Sequence, residues 1–355
     1  MIKYAIRVKG EIMKVSIIGT TGYGGVELLR ILHQHPTFNI QSIHSTKDEI
    51  PIWEEYPHLY HLLDKNLEPI DPEKIANQSD IVFLATPSGI SGQLVSEFEN
   101  KDIKVIDLSG DLRLPAKDYK AWYKHNPVYE GLQSQAIYGL SEWNVESIKN
   151  SRLIANPGCY PTASLLSLAP VVKTGLIEPA SIIIDAKSGI SGAGKSLSRN
   201  TSLSEANENF RVYKVNEHQH TPEIEQQLIQ WNKEIKPITF TTHLLPITRG
   251  IMTTAYVQLK KEQKTRQLLE LYKEIYRQHP FIRIRPENTF PSIKEVAGSN
   301  YCDIGLHVDN RTGRLTIIAV IDNLMKGAAG QAVQNANIMS GFEETTGLDF
   351  VPMYP

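Results

Sequence analysis

Short apolar runs alternate with segments of helical periodicity in the first part of the chain. Lys14 to Ile18 is one such run. A glycine cluster follows it, and the apolar positions of Val26 to Leu32 then recur at helical spacing until Pro36 stops them. That order predicts strand, tight turn and helix. Further strands are predicted at Asn39 to His44, Asp80 to Ala85, Ile103 to Leu108 and Leu153 to Ala155, with a helix at Gly92 to Phe98 among them. Alternation of this kind predicts an α/β domain built on a doubly wound parallel sheet of the Rossmann type, with Leu153 to Ala155 as its last strand.

Beyond Ala155 the period changes to two. Ser181 to Lys187, Thr239 to Leu245 and Ile251 to Leu259 alternate as strands, and Tyr301 to Val308 with Arg314 to Ile321 flank a turn-rich link, which predicts an antiparallel hairpin. A helix at Thr265 to Gln278 is expected on one face of that sheet, stopping before Pro280. This part reads as an α+β domain with a mixed, largely antiparallel sheet. From Lys326 onward Gly, Ala, Gln and Asn form a small-residue helix expected to pack back on the first domain. The expected division is therefore 1–155, 156–322 and 323–355.

Composition narrows the function more than the fold. With 355 residues and 41% hydrophobic content the chain can bury a core in each of two domains. Its formal net charge of -2 is dispersed, so neither a nucleic-acid stripe nor an acidic tail stands out and a small-molecule partner is expected. No apolar run approaches the roughly 18 residues of a membrane span. Two isolated cysteines, Cys159 and Cys302, point to a reducing compartment and a cytoplasmic setting. Met1 to Ile12 reads as a dispensable extension or an alternative start and receives no function.

The first strand-to-helix turn carries Gly19, Thr20, Thr21, Gly22, Tyr23, Gly24 and Gly25, whose backbone N–H groups and helix entrance suit a pyrophosphate, although the spacing departs from G-x-G-x-x-G. About twenty residues on, where an acid would bind the ribose hydroxyl of NAD, stand His44, Ser45, Thr46 and Lys47. Hydroxyls and a cation favour the 2′-phosphate of NADP(H), even with Asp48 and Glu49 following. Thr86 and Pro87 end a neighbouring strand at the same sheet edge and are expected to flank the dinucleotide.

The sharpest local feature is Ala155-Asn-Pro-Gly-Cys-Tyr-Pro-Thr162, set between a strand and an apolar helical run. A cysteine at a helix entrance gains a lowered thiol pKa from the dipole and unpaired N–H donors, which can also stabilise an oxyanion. Cys159 is therefore the candidate nucleophile, whereas Cys302 in mid-strand reads as a core residue. His218 and His220, within Glu217-His-Gln-His-Thr-Pro-Glu223, are the candidate acid and base. The same cluster resembles metal ligands, but no third group of His, Cys or carboxylates accompanies it, and no metal is assigned.

Together these segments resemble the N-acetyl-γ-glutamyl-phosphate reductases, a family related to aspartate-semialdehyde dehydrogenase. The resemblance runs from Met13 over nearly the whole chain. It rests on residues 19–25, Ile-Asp-Leu-Ser-Gly-Asp-Leu-Arg at 106–113, Tyr-Gly-Leu-Ser-Glu at 138–142, Asn-Pro-Gly-Cys-Tyr-Pro-Thr at 156–162, His-Gln-His-Thr-Pro-Glu at 218–223, Leu-Pro-Ile-Thr-Arg-Gly at 245–250 and Asn-Leu-Met-Lys-Gly-Ala-Ala-Gly-Gln-Ala at 323–332. It implies attack of Cys159 on an acyl phosphate, release of inorganic phosphate and reduction of the thioester to a semialdehyde in arginine biosynthesis. It also implies that His218 or His220 manages the protons, His218 being preferred, that Arg113, Tyr213 and Arg249 hold the substrate's anions, and that Ser188, Gly189, Gly192 and Asn323 reach the cofactor. A homo-oligomer, dimer or tetramer, is expected.

One motif points elsewhere. Gly189 to Ser196 satisfies G-x-x-x-x-G-K-[ST], the phosphate loop of nucleotide triphosphatases, yet Leu197 to Ser204 lacks the apolar face of the helix that such a loop feeds. The match is read as coincidental. Reduction of another acyl phosphate, N-succinyl-glutamyl or aspartyl, remains the nearer alternative. A dead nucleotide-binding relative would be expected to lack Cys159 or the histidines, and both are present.

Overall fold

The computed structural model describes residues 12–46 and 49–354, so Lys47 and nearly all of the leader lie outside the described residues. Seven strands, β1 (Met13–Ile18), β2 (Phe38–His44), β3 (Leu67–Glu68), β4 (Ile81–Leu84), β5 (Lys104–Asp107), β6 (Ile137–Tyr138) and β7 (Leu153–Ala155), form the first sheet. Their order is β3-β2-β1-β4-β5-β7-β6, and every pairing is parallel. The direction of winding reverses between β1 and β4. A doubly wound sheet opens a crevice at that reversal, outside the carboxyl ends of its strands.

The second sheet contains β8 (Ile183–Gly189), β9 (Arg211–Tyr213), β10 (Thr239–Leu245), β11 (Ile251–Gln258), β12 (Ile282–Ile284), β13 (Cys302–Asp309) and β14 (Arg314–Ile321). Its order is β12-β13-β14-β11-β8-β10-β9, with β12·β13 and β8·β10 parallel and the other pairings antiparallel. The predicted hairpin is β13–β14. The short strands β3, β6, β9 and β12 carry too few residues for a period to register in sequence. Because β6 pairs outside β7, the strand expected to close the first sheet is its last in sequence but lies one in from the edge.

Against the second sheet runs the helix Cys159–Lys173, in which every residue from Tyr160 to Val172 is buried. A helix apolar on all sides belongs inside a protein, and this one packs on β11, β14 and the helix Thr221–Trp231. Pro170 lacks the N–H that would reach the carbonyl of Leu166. The Tyr276 hydroxyl donates to that carbonyl at 2.6 Å instead, and the Tyr272 hydroxyl donates to Ser167 O at 2.6 Å. Both tyrosines come from the end of the helix predicted at Thr265 to Gln278, observed as Thr265–Ile275.

The small-residue segment near the C-terminus has two parts. A π turn, Met325–Ala329, precedes the helix Gly330–Met339, all of whose residues are buried. Its apolar positions Ala332, Val333 and Ala336 join the core of the first sheet. Its polar positions are used just as fully: Gln331 Nε2 donates to Gly139 O at 2.8 Å and Asn335 Nδ2 donates to the same carbonyl at 2.8 Å. Lys326, fully buried, donates to Glu142 Oε1 at 2.5 Å and Gln334 Oε1 at 2.7 Å.

Removing one member of a buried ion pair strands the other charge, at a cost of about 3–5 kcal/mol. Glu142→Ala should lower unfolding free energy by about that much in urea titrations at fixed protein concentration. Burial would raise the Glu142 carboxyl, but Lys326 outweighs it and holds the pKa below the ordinary 4.5. A carboxyl depressed in the folded state stabilises above its unfolded pKa, so the wild-type advantage over Glu142→Ala should shrink as pH falls below 4.5.

Candidate active site

The glycine turn after β1 is shaped by contact as well as by conformation. Gly19 has φ +92, and a Cβ there would lie 2.5 Å from the carbonyl oxygen of Ala85 at the end of β4. Beyond it the loop opens: a Cβ on Gly24 would meet nothing within 4 Å, and one on Gly22 only Gly19 O at 3.7 Å. The Val26 N–H makes the first bond of the following helix, to Gly22 O, so the preceding amides have no intrahelical partner. A cradle of free amides beside open space fits a dinucleotide pyrophosphate.

A cleft of about 770 Å³ begins at this loop and ends at the nucleophile helix. Gly19, Thr21, Gly22, Tyr23 and Gly24 line it with Ser45, Thr46, Thr86 and Pro87; Ser188, Gly192 and Asn323 line it from the other domain. Gly189 does not. It lies under the 245–250 segment, where a Cβ would be 2.7 Å from Thr248 O. Asn323 spans two loops, accepting from Gly250 N at 2.7 Å and donating to Ser191 Oγ at 2.9 Å.

At the far end stand Cys159, His218, His220, Arg113 and Tyr213. Gly158 caps the helix entrance, and its N–H donates to Glu223 Oε1 at 2.8 Å. The same oxygen accepts the Tyr138 hydroxyl at 2.8 Å, while Glu223 Oε2 lies 3.4 Å from Arg113 Nη1. Arg113 Nε donates to the carbonyl of Asn156 at 2.8 Å and Nη2 to that of Leu108 at 2.7 Å. Burial opposes the guanidinium charge, and the Glu223 carboxylate more than restores it, holding Arg113 above its ordinary value.

Glu223 is therefore an organising residue that the sequence showed only as a possible metal ligand. Among the described residues no group of three or more His, Cys, Asp or Glu side chains is arranged to hold a metal ion. Asp111 is a second organising residue. It accepts the N–H groups of Gly89 at 2.8 Å and Gly92 at 2.7 Å and the Tyr119 hydroxyl at 2.6 Å, which ties the loop after β4 to the turn before Arg113. The sign available in sequence was its position two residues before that arginine.

The two histidines differ in chemistry. His218 Nδ1 accepts the backbone N–H of His220 at 3.1 Å, so a neutral His218 carries its proton on Nε2 and acts as a donor. His220 places Nε2 against the nucleophile turn, 2.5 Å from where a Cβ on Gly158 would stand, and its buried Nδ1 has no hydrogen-bond partner. Burial lowers His218 to about 3 and, with the neighbouring His218 and Arg113 adding to it, lowers His220 well below the ordinary value. Both rings are neutral at pH 7.

Two expectations require correction. Burial pushes the half-buried Cys159 thiol up to about 11, overcoming the Tyr160 N–H and the Arg113 cation that favour the thiolate. The helix entrance is present, but its effect is smaller than desolvation. Arg249 does not line the cleft: its guanidinium pairs with Glu27 at 2.6 and 3.0 Å and approaches Asp322 at 3.4 Å. The Glu27 carboxylate is almost fully buried and needs that cation, so a position assigned to the substrate instead joins the two domains.

The π turn completes the site. Ala328 O accepts Asn156 Nδ2 at 3.1 Å, and a Cβ on Gly327 would be 2.8 Å from Cys159 Cβ. Turns of this kind widen a helix locally and concentrate at functional sites. Here the widening lets backbone, without a side chain, back the nucleophile.

A dinucleotide crevice leading to a cysteine at a helix entrance defines the semialdehyde dehydrogenase class. Residues 14–151 match the family model for the semialdehyde dehydrogenase NAD binding domain, and residues 159–323 match that for the semialdehyde dehydrogenase dimerisation domain. Among solved structures, aspartate semialdehyde dehydrogenase II from Vibrio cholerae is similar with a TM-score of 0.70 at 18% identity, over 93% of this chain and 98% of that one. Aspartate semialdehyde dehydrogenase with NADP from Candida albicans gives 0.69 at 14%, over 93% and 98%. The N-acetyl-gamma-glutamyl-phosphate reductase of Bacillus cereus (strain AH187) is 56% identical over 96% of this chain and 100% of its own length. That of Bacillus mycoides (strain KBAB4) is 56% identical over 97% and 100%. The chain belongs to the N-acetyl-γ-glutamyl-phosphate reductase family.

Two outcomes check this geometry. Alkylation of Cys159 by iodoacetamide in the free enzyme should still accelerate above pH 9; a plateau reached below pH 8 would mean that the resting pair is already thiolate and imidazolium. Gly327→Ala, which displaces the sulfur by crowding its Cβ, should lower kcat on the order of 10²-fold with little change in KM.

Proposed function

We propose that this protein reduces N-acetyl-L-glutamyl 5-phosphate to N-acetyl-L-glutamate 5-semialdehyde with NADPH, releasing inorganic phosphate, as a step of arginine biosynthesis. The observation that carries the reading is Cys159 at the closed end of a dinucleotide cleft, backed by Gly327 and flanked by two neutral histidines.

The chemistry follows from the protonation states. With its thiol protonated, Cys159 needs a base at the moment of attack, and His220, whose Nε2 faces the nucleophile turn, takes the proton. The proposal thus assigns the base to His220 and not to His218, the expectation from sequence. Sulfur bonds to the acyl carbon and the C–O bond to phosphate breaks, leaving a thioester. His218 Nε2–H and the amides of the helix entrance offer donors to the acyl oxygen as charge gathers on it. Arg113 and Tyr213 face the substrate's anionic groups. NADPH, when bound, supplies the hydride that reduces the thioester. The thiohemiacetal then loses the thiolate, which recovers its proton from the His220 imidazolium as the semialdehyde leaves.

NADP is preferred to NAD because hydroxyls, Ser45 and Thr46, occupy the end of β2 where an NAD enzyme places an acid. A homodimer is favoured through the outer face of the second sheet, where Ile183 and Tyr256 stand paired across β8 and β11 at 43% and 36% exposure. Two unpaired cysteines favour a reducing, cytoplasmic setting. Among the described residues no helix is long and apolar enough to cross a membrane.

The decisive assay runs the reaction in reverse, with N-acetylglutamate semialdehyde, NADP and phosphate, following NADPH absorbance. Formation should require phosphate, and Cys159→Ala should lose at least about 10³-fold in kcat. Faster turnover of aspartate semialdehyde would replace the substrate assignment, and a fully active Cys159→Ala would remove the covalent mechanism.

A further inference from the structure

The segment 189–196, which carries a phosphate-loop motif with no helix behind it, has a use that the proposed mechanism does not absorb. After β8 it makes a single turn, Ile190–Ala193, and passes through Gly194 at φ +83 before it crosses to the first domain. There Lys195 Nζ donates to Glu55 Oε1 and sits 4.4 Å from the centre of the Tyr56 ring. The Tyr56 hydroxyl donates to Thr21 O at 2.7 Å, and Thr21 Oγ1 lies 3.5 Å from Ser45 Oγ. Lys195, Thr21, Ser45 and Thr46 all line the one cleft. The contacts bring an ammonium of the catalytic domain to the same cleft as Ser45 and Thr46 at the end of β2, where the adenosine ribose of a dinucleotide lies in such a sheet.

The neighbouring carboxylate sharpens the argument. Glu55 is largely buried, its side chain 10% exposed against 39% for Lys195. A bare carboxylate there would repel a ribose phosphate and favour a ribose hydroxyl, the discrimination that selects NAD. We propose that Lys195 is a specificity-determining residue for the 2′-phosphate of NADP(H), cancelling the charge of Glu55 and supplying from the second domain the cation that the phosphate meets. Phosphate is a stronger acceptor of a charge-assisted bond than a ribose hydroxyl, so the ammonium can be shared between carboxylate and ligand when the site fills. The face of the Tyr56 ring steadies the ammonium itself without occupying one of its N–H donors.

This inference rests on the NADP reading, and one experiment separates the two. Calorimetric titration with 2′,5′-ADP and with 5′-AMP isolates the 2′-phosphate from the rest of the cofactor and needs no turnover. Wild-type protein should bind 2′,5′-ADP more tightly; equal binding of the two probes would end the NADP reading and this proposal with it. Given a wild-type preference, Lys195→Met should cut that preference at least tenfold, Lys195→Arg should retain most of it, and Glu55→Gln should keep or increase it. A latch that merely joins the domains predicts the opposite for the last variant, since either substitution breaks the pair. The proposal is overturned if Lys195→Met leaves the preference intact or weakens both probes equally, or if Glu55→Gln falls with it. Thermal unfolding of each variant identifies any loss that comes from misfolding, and Lys195→Arg then decides between them.

Discussion

The site depends on one buried carboxylate. Glu223 is fully buried and stands in the first turn of the helix Thr221–Trp231, where the helix dipole favours its charge. From there it accepts from the Gly158 amide, the Tyr138 hydroxyl and Arg113. Three segments distant in sequence are thereby held at one point: the nucleophile turn, the end of β6 and the arginine turn after β5. A carboxylate in such a place must have its lone pairs filled and its charge matched, and each partner supplied is also a part of the site. The groups that keep Glu223 tolerable are those that place Cys159 and Arg113.

Desolvation runs through the rest of the chemistry. The same closure that buries Glu223 raises the Cys159 thiol and lowers both histidines, so the resting site holds neutral sulfur and neutral imidazoles. A protonated thiol reacts poorly with stray electrophiles, and a neutral imidazole keeps a lone pair able to accept a proton. The helix entrance still contributes, but to charge that develops during reaction rather than to a thiolate that waits for it. Burial pushes Cys302 in β13 higher still, even against the Lys326 ammonium that opposes it.

Much of this was legible along the chain. Long strands such as Thr239–Leu245 and Arg314–Ile321 carry enough period to be placed to the residue, and the motifs at 19–25, 156–162 and 218–223 mark three walls of the cleft. What escaped is of two kinds. The strands β3, β6, β9 and β12 are defined by pairing with distant chain and have too few residues to show a period, whereas the equally short β7 stands out as the last apolar run before the cysteine motif. Charge assignments failed where burial decided them: Arg249 has the residue type of a substrate clamp, but the nearly buried Glu27 claims it. Motif spacing reports which residues are close in sequence, whereas desolvation depends on everything packed around them.

The two domains are tied on both sides of the cleft, by unlike means. On one side Arg249 joins Asp322 and the 245–250 segment to Glu27 on the first helix, a pair with one almost wholly buried partner. On the other, Lys195 reaches Glu55 over Tyr56 through a loop that is largely exposed. The penalty for breaking a charge pair rises with burial, so the Arg249–Glu27 tie is the costlier of the two to break. The Arg249 side also carries Asp322, which caps the π turn through Leu324 N at 2.8 Å, so the backbone behind Cys159 is anchored to that tie.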